Sequence, residues 1–149
     1  MPENLAGPDV ARPVVEFVDA INRGDVNAAI AQLSPCHVHC GGRSYHYAQG
    51  VRALFGVLRG VLPDLRLDII EQRVEGNRVT SRIVATGVHT GSYLGQEPTG
   101  RPVVWQSVDV AEVGQGSWDG QLRIVRRDWD IFSDRSLWTE IGFVPALLG

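Results

Sequence analysis

A chain of 149 residues, 44% apolar and 21% charged, has the size and composition of one compact domain, which buries about two thirds of its unfolded surface. A formal charge of −3 offers no basic face to nucleic acid, and no stretch reaches the ~18 apolar residues of a membrane span. Met1-Pro2-Glu3-Asn4-Leu5 lacks the basic and apolar regions of a secretory signal, so the cytoplasm is the expected compartment.

Residues 1–8 read as a polar lead-in. Asp9 is the expected cap of a first helix that tolerates Pro13 in its early turns, with Val14, Phe17, Val18 and Ile21 as its apolar stripe. Gly24 stops it, and Asp25 caps a second helix from Val26 to Leu33. Cys36 to Cys40 reads as a short strand closed by Gly41-Gly42. Cys36 and Cys40 bracket His37 and His39 like a metal motif. In a strand, however, residues four apart lie ~13 Å from each other, beyond disulfide reach and beyond a shared tetrahedral zinc. His37 and His39 do share a face, so a two-histidine metal site stays a minor alternative to no metal. Residues 43–49 read as a loop whose Tyr45, His46 and Tyr47 either cover a pocket or pack the loop. Val51 to Leu62 has helical spacing and closes at Pro63.

Four longer strands follow. Leu65–Val74 alternates and turns at Glu75-Gly76-Asn77; Arg78–His89 pairs back. Val103–Val113 comes next, and residues 121–132 form the last strand, rich in β-branched and aromatic side chains. Alternation puts Asp128, Asp130 and Phe132 on one face of it and Trp129 and Ile131 on the other. A terminal helix over residues 134–141 takes Ser133 as its cap. Helices first and antiparallel strands after imply an α+β fold: a curved, mixed or antiparallel sheet wrapped around the N-terminal helices into a cone with one internal pocket.

Gly87-Val88-His89-Thr90-Gly91-Ser92-Tyr93-Leu94-Gly95, then Glu97-Pro98-Thr99-Gly100-Arg101, then Trp105, closely resembles the SnoaL-like polyketide cyclase family. Those enzymes share the cone fold of ketosteroid isomerase and nuclear transport factor 2. Residues 15–25, Leu62-Pro63-Asp64-Leu65 and residues 137–142 fit the same family. The resemblance implies cofactor-free acid–base chemistry on a hydrophobic small molecule, commonly aldol ring closure of a polyketide, and a homodimer formed through the outer sheet face. The first helix and last strand also resemble limonene-1,2-epoxide hydrolase.

Residue by residue the match is partial. Ser133 stands where the cyclases usually carry an Asp. Asp130 fits the catalytic Asp of the epoxide hydrolase, and Arg82 its partner guanidinium. Val84 replaces a second carboxylate, His39 a water-orienting Tyr, and Gly41 an Asn. If Arg82 and Val84 face inward, so do Thr86 and Val88; the resemblance places Trp105, Ser107, Asp109, Asp130 and Phe132 inward too. The expected pocket is lined by Val18, Ile21, Phe55, Leu58, Val84, Trp105, Ser107 and Phe132, near Tyr45 and Tyr47, with His39, Arg82, Asp109 and Asp130 as its polar groups.

In that arrangement Asp130 is the general base or acid, Arg82 orients it, and Asp109 and His39 donate the complementary proton or hold water. Asp128, beside Arg126 and Arg127, reads as solvated or salt-bridged, and His89 as structural. Three functions stay open: an acid–base cyclase acting on a natural-product intermediate, an epoxide-opening hydrolase or ether-forming cyclase, and a non-catalytic ligand-binding or dimerising module.

Overall fold

The computed structural model describes residues 8–34, 37–40, 43–92, 97–115, 119–129 and 131; at 8–9, 37–40 and 43–48 it describes the backbone alone. Helix α1 (Pro8–Arg23) begins on a proline, which has no amide hydrogen to leave unsatisfied in a first turn. Asp9 thus lies within the helix rather than capping it. Val10, Val14, Phe17, Val18 and Ile21 are buried along one stripe of α1. Gly24, at φ +77°, breaks the helix. Asp25 then caps α2 (Val26–Ile30), its side chain accepting from the Ala28 amide at 3.0 Å. The second helix is shorter than its pattern suggested, because the chain beyond it runs beside the last strand: Ile124 N–H donates to Gln32 O at 2.8 Å and Ser34 N–H to Ile124 O at 2.9 Å.

Strands β1 (His37–Cys40) and β2 (Arg43–His46) pair as an antiparallel hairpin, and α3 (Tyr47–Val61) follows directly. The segment expected to be a loop is therefore an edge strand and the first turn of a helix. Its hydrogen bonds come from β1, a partner that local composition does not reveal. The remaining strands are β3 (Arg66–Glu75), β4 (Arg78–Val88), β5 (Pro102–Gln115) and β6 (Leu122–Trp129). Glu75 and Arg78 pair across the two-residue turn Gly76-Asn77, with Gly76 at φ +61°.

Among the described residues six strands form one curved, open sheet in the order β2-β1-β6-β5-β4-β3, antiparallel except where β1 meets β6. Its pairing register breaks twice, between Ile69 and Glu71 on β3 and between Glu112 and Val113 on β5, and such irregularities add local twist. The inner face carries Leu67, Val79, Ile83, Ala85, Val103, Trp105, Ala111, Val113 and Trp129, all buried against α1 and α3. Edge strand β3 is tied to α1 by Asn22, whose amide donates to Leu67 O and accepts from Leu67 N–H, both at 2.8 Å. A side chain thus supplies the ladder bonds of a neighbouring strand and blunts an exposed edge. Among the described residues no helix is long and apolar enough to cross a membrane.

Candidate active site

The strands deliver a compact polar cluster to the middle of the inner face. Alternation on β5 turns Trp105, Ser107 and Asp109 inward, and all three are buried. Asp109 lies opposite Trp129 on β6, and Arg127, two residues earlier, shares Trp129's face. Arg127 donates from Nε to Oδ1 and Oδ2 of Asp109 at 2.9 and 3.0 Å, and from Nη2 to Oδ2 at 2.5 Å. Both side chains are 0% exposed.

Aromatic rings complete the enclosure. The Arg127 guanidinium carbon lies 4.2 Å from the centre of the Phe17 ring on α1 and 4.8 Å from that of Trp129. Phe17, Phe55 of α3 and Trp129 meet pairwise with ring centres 5.9 to 6.4 Å apart. Each indole is anchored: Trp129 Nε1 donates to Ser107 Oγ at 2.8 Å and Trp105 Nε1 to Ile131 O at 2.7 Å. These bonds hold the rings that hold the guanidinium.

One group in the cluster is unsatisfied. Arg127 Nη1 is buried and has no hydrogen-bond partner among the described residues. A buried donor left unpaired costs about 1–3 kcal/mol, more when charged, so native structures rarely tolerate it without a use. Asp109 spends both oxygens on Arg127 and so acts on its surroundings through that guanidinium. A cationic donor fixed in an aromatic enclosure suits an oxygen that gains negative charge, as a carbonyl does on becoming an enolate.

The observed cluster differs from the expected one in its guanidinium. Arg82 does not face inward: its side chain is 50% exposed and pairs with Glu71 at 3.1 Å on the outer face. Val84 shares that outward parity and is half-buried, while Ser81, Ile83 and Ala85 point in. On β6, as far as Trp129, the inward face is the one opposite Asp128. Asp128 is exposed, as its flanking arginines suggested, whereas Trp129 and Ile131 are buried. The reason is register: Arg82 pairs with Val108 and Asp128 with Val110, both off the inward series Trp105, Ser107, Asp109.

Val18, Ile21, Phe55 and Leu58 are buried on the inner faces of the helices. Asp130, Phe132 and Ser133 lie outside the described residues, as do the terminal helix and the side chains of His39, Tyr45 and Tyr47. Sequence reasoning missed Arg127, Trp129 and Phe17. No signal in the sequence selects Arg127 and Trp129, because the register of β6 against β5 that brings them to Asp109 is set by the tertiary structure.

At one end of β4, His89 is buried as expected of a structural residue. Its Nδ1 accepts from the Thr99 amide at 3.1 Å and lies 2.9 Å from Thr99 Oγ1, and burial pulls its pKa below the ordinary histidine value. This bridge closes the base of the glycine-rich loop. Gly91 fastens the same loop to α3, its amide donating to Val61 O at 3.1 Å.

An open curved sheet wrapped over N-terminal helices, with its polar cluster on the concave face, is the cone architecture of the ketosteroid isomerase and nuclear transport factor 2 class. Within that class the chain belongs to the SnoaL-like polyketide cyclase family, whose model matches residues 12–137. Among solved structures it is similar to AclR from Streptomyces galilaeus, assigned provisionally as a hydroxylase, at 27% identity and a TM-score of 0.72 over 91% of this chain and 97% of that one. It is also similar to IdmH from Streptomyces antibioticus, provisionally a polyketide cyclase, at 23% identity and TM-score 0.72 over 91% and 99% of the two chains. A SnoaL-like protein from Jannaschia sp. CCS1, provisionally a polyketide cyclase, matches at 20% identity and TM-score 0.72 over 93% and 96%. No curated protein matches the chain.

Proposed function

We propose that this protein is an acid–base cyclase for a hydrophobic, polyketide-like intermediate, with Arg127 as the donor that stabilises the developing oxyanion. The observation that carries the reading is the Nη1 of a buried guanidinium held by Asp109, without a partner among the described residues. A substrate carbonyl oxygen would accept from Nη1. A base removes the α-proton, the C–H pair becomes the enolate, and its charge falls on the oxygen facing Arg127. The enolate carbon then attacks a second carbonyl of the same chain, and the conjugate acid returns the proton to the new alkoxide. Asp130, the match to the catalytic Asp of limonene-1,2-epoxide hydrolase, is proposed as that base, and Asp109 as the residue that positions Arg127. A positioned base contributes about 10²–10⁴-fold.

The reading also includes a homodimer through the outer sheet face. Val104 and Val108 stand 63% and 49% exposed on the outer side of β5, flanked by the Arg82–Glu71 pair. Neighbouring large apolar side chains in water on one sheet face suit a partner surface. The epoxide-opening alternative needs Arg82 inside the pocket, whereas Arg82 pairs with Glu71 on the outer face.

Exchange of the α-protons of an aryl β-keto ester in D₂O, followed by NMR, tests the acid–base step without the natural substrate. Wild type is expected to accelerate exchange. Asp130→Asn and Arg127→Lys should each slow it by about 10²-fold or more while the ester still binds. Arg82→Gln should leave it unchanged. Equal exchange in wild type and Asp130→Asn would defeat the proposal.

A further inference from the structure

A cleft of about 290 Å³ lies on the helical side of the molecule, between the α1–α2 turn and α3. Ile21, Val26 and Phe55 supply its apolar lining, and Arg52 and Arg59 its charge. Arg52, Phe55, Gly56 and Arg59 follow one another at i, i+3, i+4 and i+7, so they form a single face of α3. The two guanidiniums stand one at each end of that face, with a glycine between them.

Two features of this face leave room for a ligand. First, among the described residues Arg52 and Arg59 spend hydrogens only on neutral acceptors: Arg52 Nη2 on Asn27 Oδ1, Arg59 Nη2 on Ile21 O and Arg59 Nη1 on Pro63 O. Neither forms an ion pair with a carboxylate among the described residues, although Arg12, Arg66, Arg82, Arg123 and Arg127 all do. Asp25, adjacent in sequence to the lining, is engaged as the cap of α2. Second, Gly56 sits inside a helix, where glycine is less favourable than alanine, yet a Cβ there would meet nothing within 4 Å. The glycine opens a notch that no side chain of the described protein fills.

We propose that this cleft is a second ligand site, separate from the Asp109–Arg127 cluster, for a small amphipathic organic anion. Its apolar body lies in the Gly56 notch against Phe55 and Ile21, and its carboxylate or phosphate head meets the Arg52 guanidinium, with Arg59 adding charge from the other end. Guanidinium is suited to either oxyanion because its N–H groups match paired oxygens. Phe55 touches both sites, since it lines the cleft and packs on Phe17 and Trp129.

The test is a titration of ¹⁵N-labelled protein with decanoate, decyl phosphate and decanol. Decanoate or decyl phosphate is expected to shift the amides of Gly24, Val26 and Gly56, and the tighter of the two identifies the head group. Decanol and the Arg52→Gln variant should each bind about tenfold more weakly, the loss of one charge-assisted contact. Gly56→Leu should abolish binding while keeping a dispersed spectrum and an unchanged or higher Tm, which separates blocked binding from misfolding. The proposal is overturned if decanol matches decanoate, if Gly56→Leu binds as wild type does, or if the shifts fall on β5 and β6 around Asp109 and Arg127 instead. None of these measurements depends on turnover, so they stand apart from the cyclase reading.

Discussion

Arg127 of β6 grips both carboxylate oxygens of Asp109 on β5 in a space that excludes water from both side chains. Fixing two charges in a dry interior is costly unless each neutralises the other, so the two residues should behave as one unit. Asp109→Leu and Arg127→Met are each expected to destabilise the fold by about 3–5 kcal/mol, because each strands its partner's polar group. The double variant Asp109→Leu/Arg127→Met should be no less stable than either single one. Urea unfolding of the set measures this, and fully additive losses would mean that the pair is not coupled.

The fastening of the glycine-rich loop to α3 rests on a close approach. A Cβ on Gly91 would lie 1.7 Å from Gly60 O, a backbone atom that has little room to move. Gly91→Ala should therefore cost about 1–3 kcal/mol and loosen the loop, seen as faster hydrogen exchange at the Gly91 and Gly100 amides. Gly60→Ala is the matched control: its Cβ meets nothing within 4 Å, and it should be neutral or stabilising by up to about 1 kcal/mol.

The His89–Thr99 bridge gives a pH dependence with a definite sign. Burial lowers the folded-state pKa of His89 below its ordinary value of 6.5, and its Nδ1 must stay unprotonated to accept from the Thr99 amide. Above 6.5 the ring is neutral in both states and the contribution is intact. As pH falls through 6.5, the unfolded chain takes up a proton that the folded chain refuses, so stability drops until the lowered folded value is reached. Tm should fall between pH 7.5 and 5, and His89→Asn should remove part of that fall. An identical Tm profile in the variant would show that His89 does not titrate across folding.

The outer face of β5 gives a test of assembly. Replacing Val104 and Val108 together with Glu is expected to leave the circular dichroism of the fold unchanged and to shift sedimentation toward the monomer. A wild-type protein already monomeric at tens of micromolar would remove the dimer from the proposed function.

Much of the architecture was legible in the sequence. Val14, Phe17, Val18 and Ile21 repeat at the helical period and are the buried stripe of α1. Gly24 and Asp25 end one helix and begin the next. The Gly76 turn and the run of long alternating strands gave the antiparallel sheet, and the family motif gave the cone. The family resemblance also placed Trp105, Ser107 and Asp109 inward, and all three are buried. The helix stripe, the helix ends and the hairpin turn depend on neighbours in the chain, and local sequence encodes them.

Only the tertiary structure decided which face of β4 and of β6 turns inward. A period of two looks the same after a shift of one residue, and β4 offers two credible faces: Val79, Ile83 and Ala85, or Arg82, Val84 and Thr86. Its register against β5 sends Arg82 into solvent, and the register of β6 against β5 brings Trp129 and Arg127 to Asp109 instead. A pairing between residues 18 apart cannot be seen from either one alone, because its energy exists only once strands, helices and rings have closed around it.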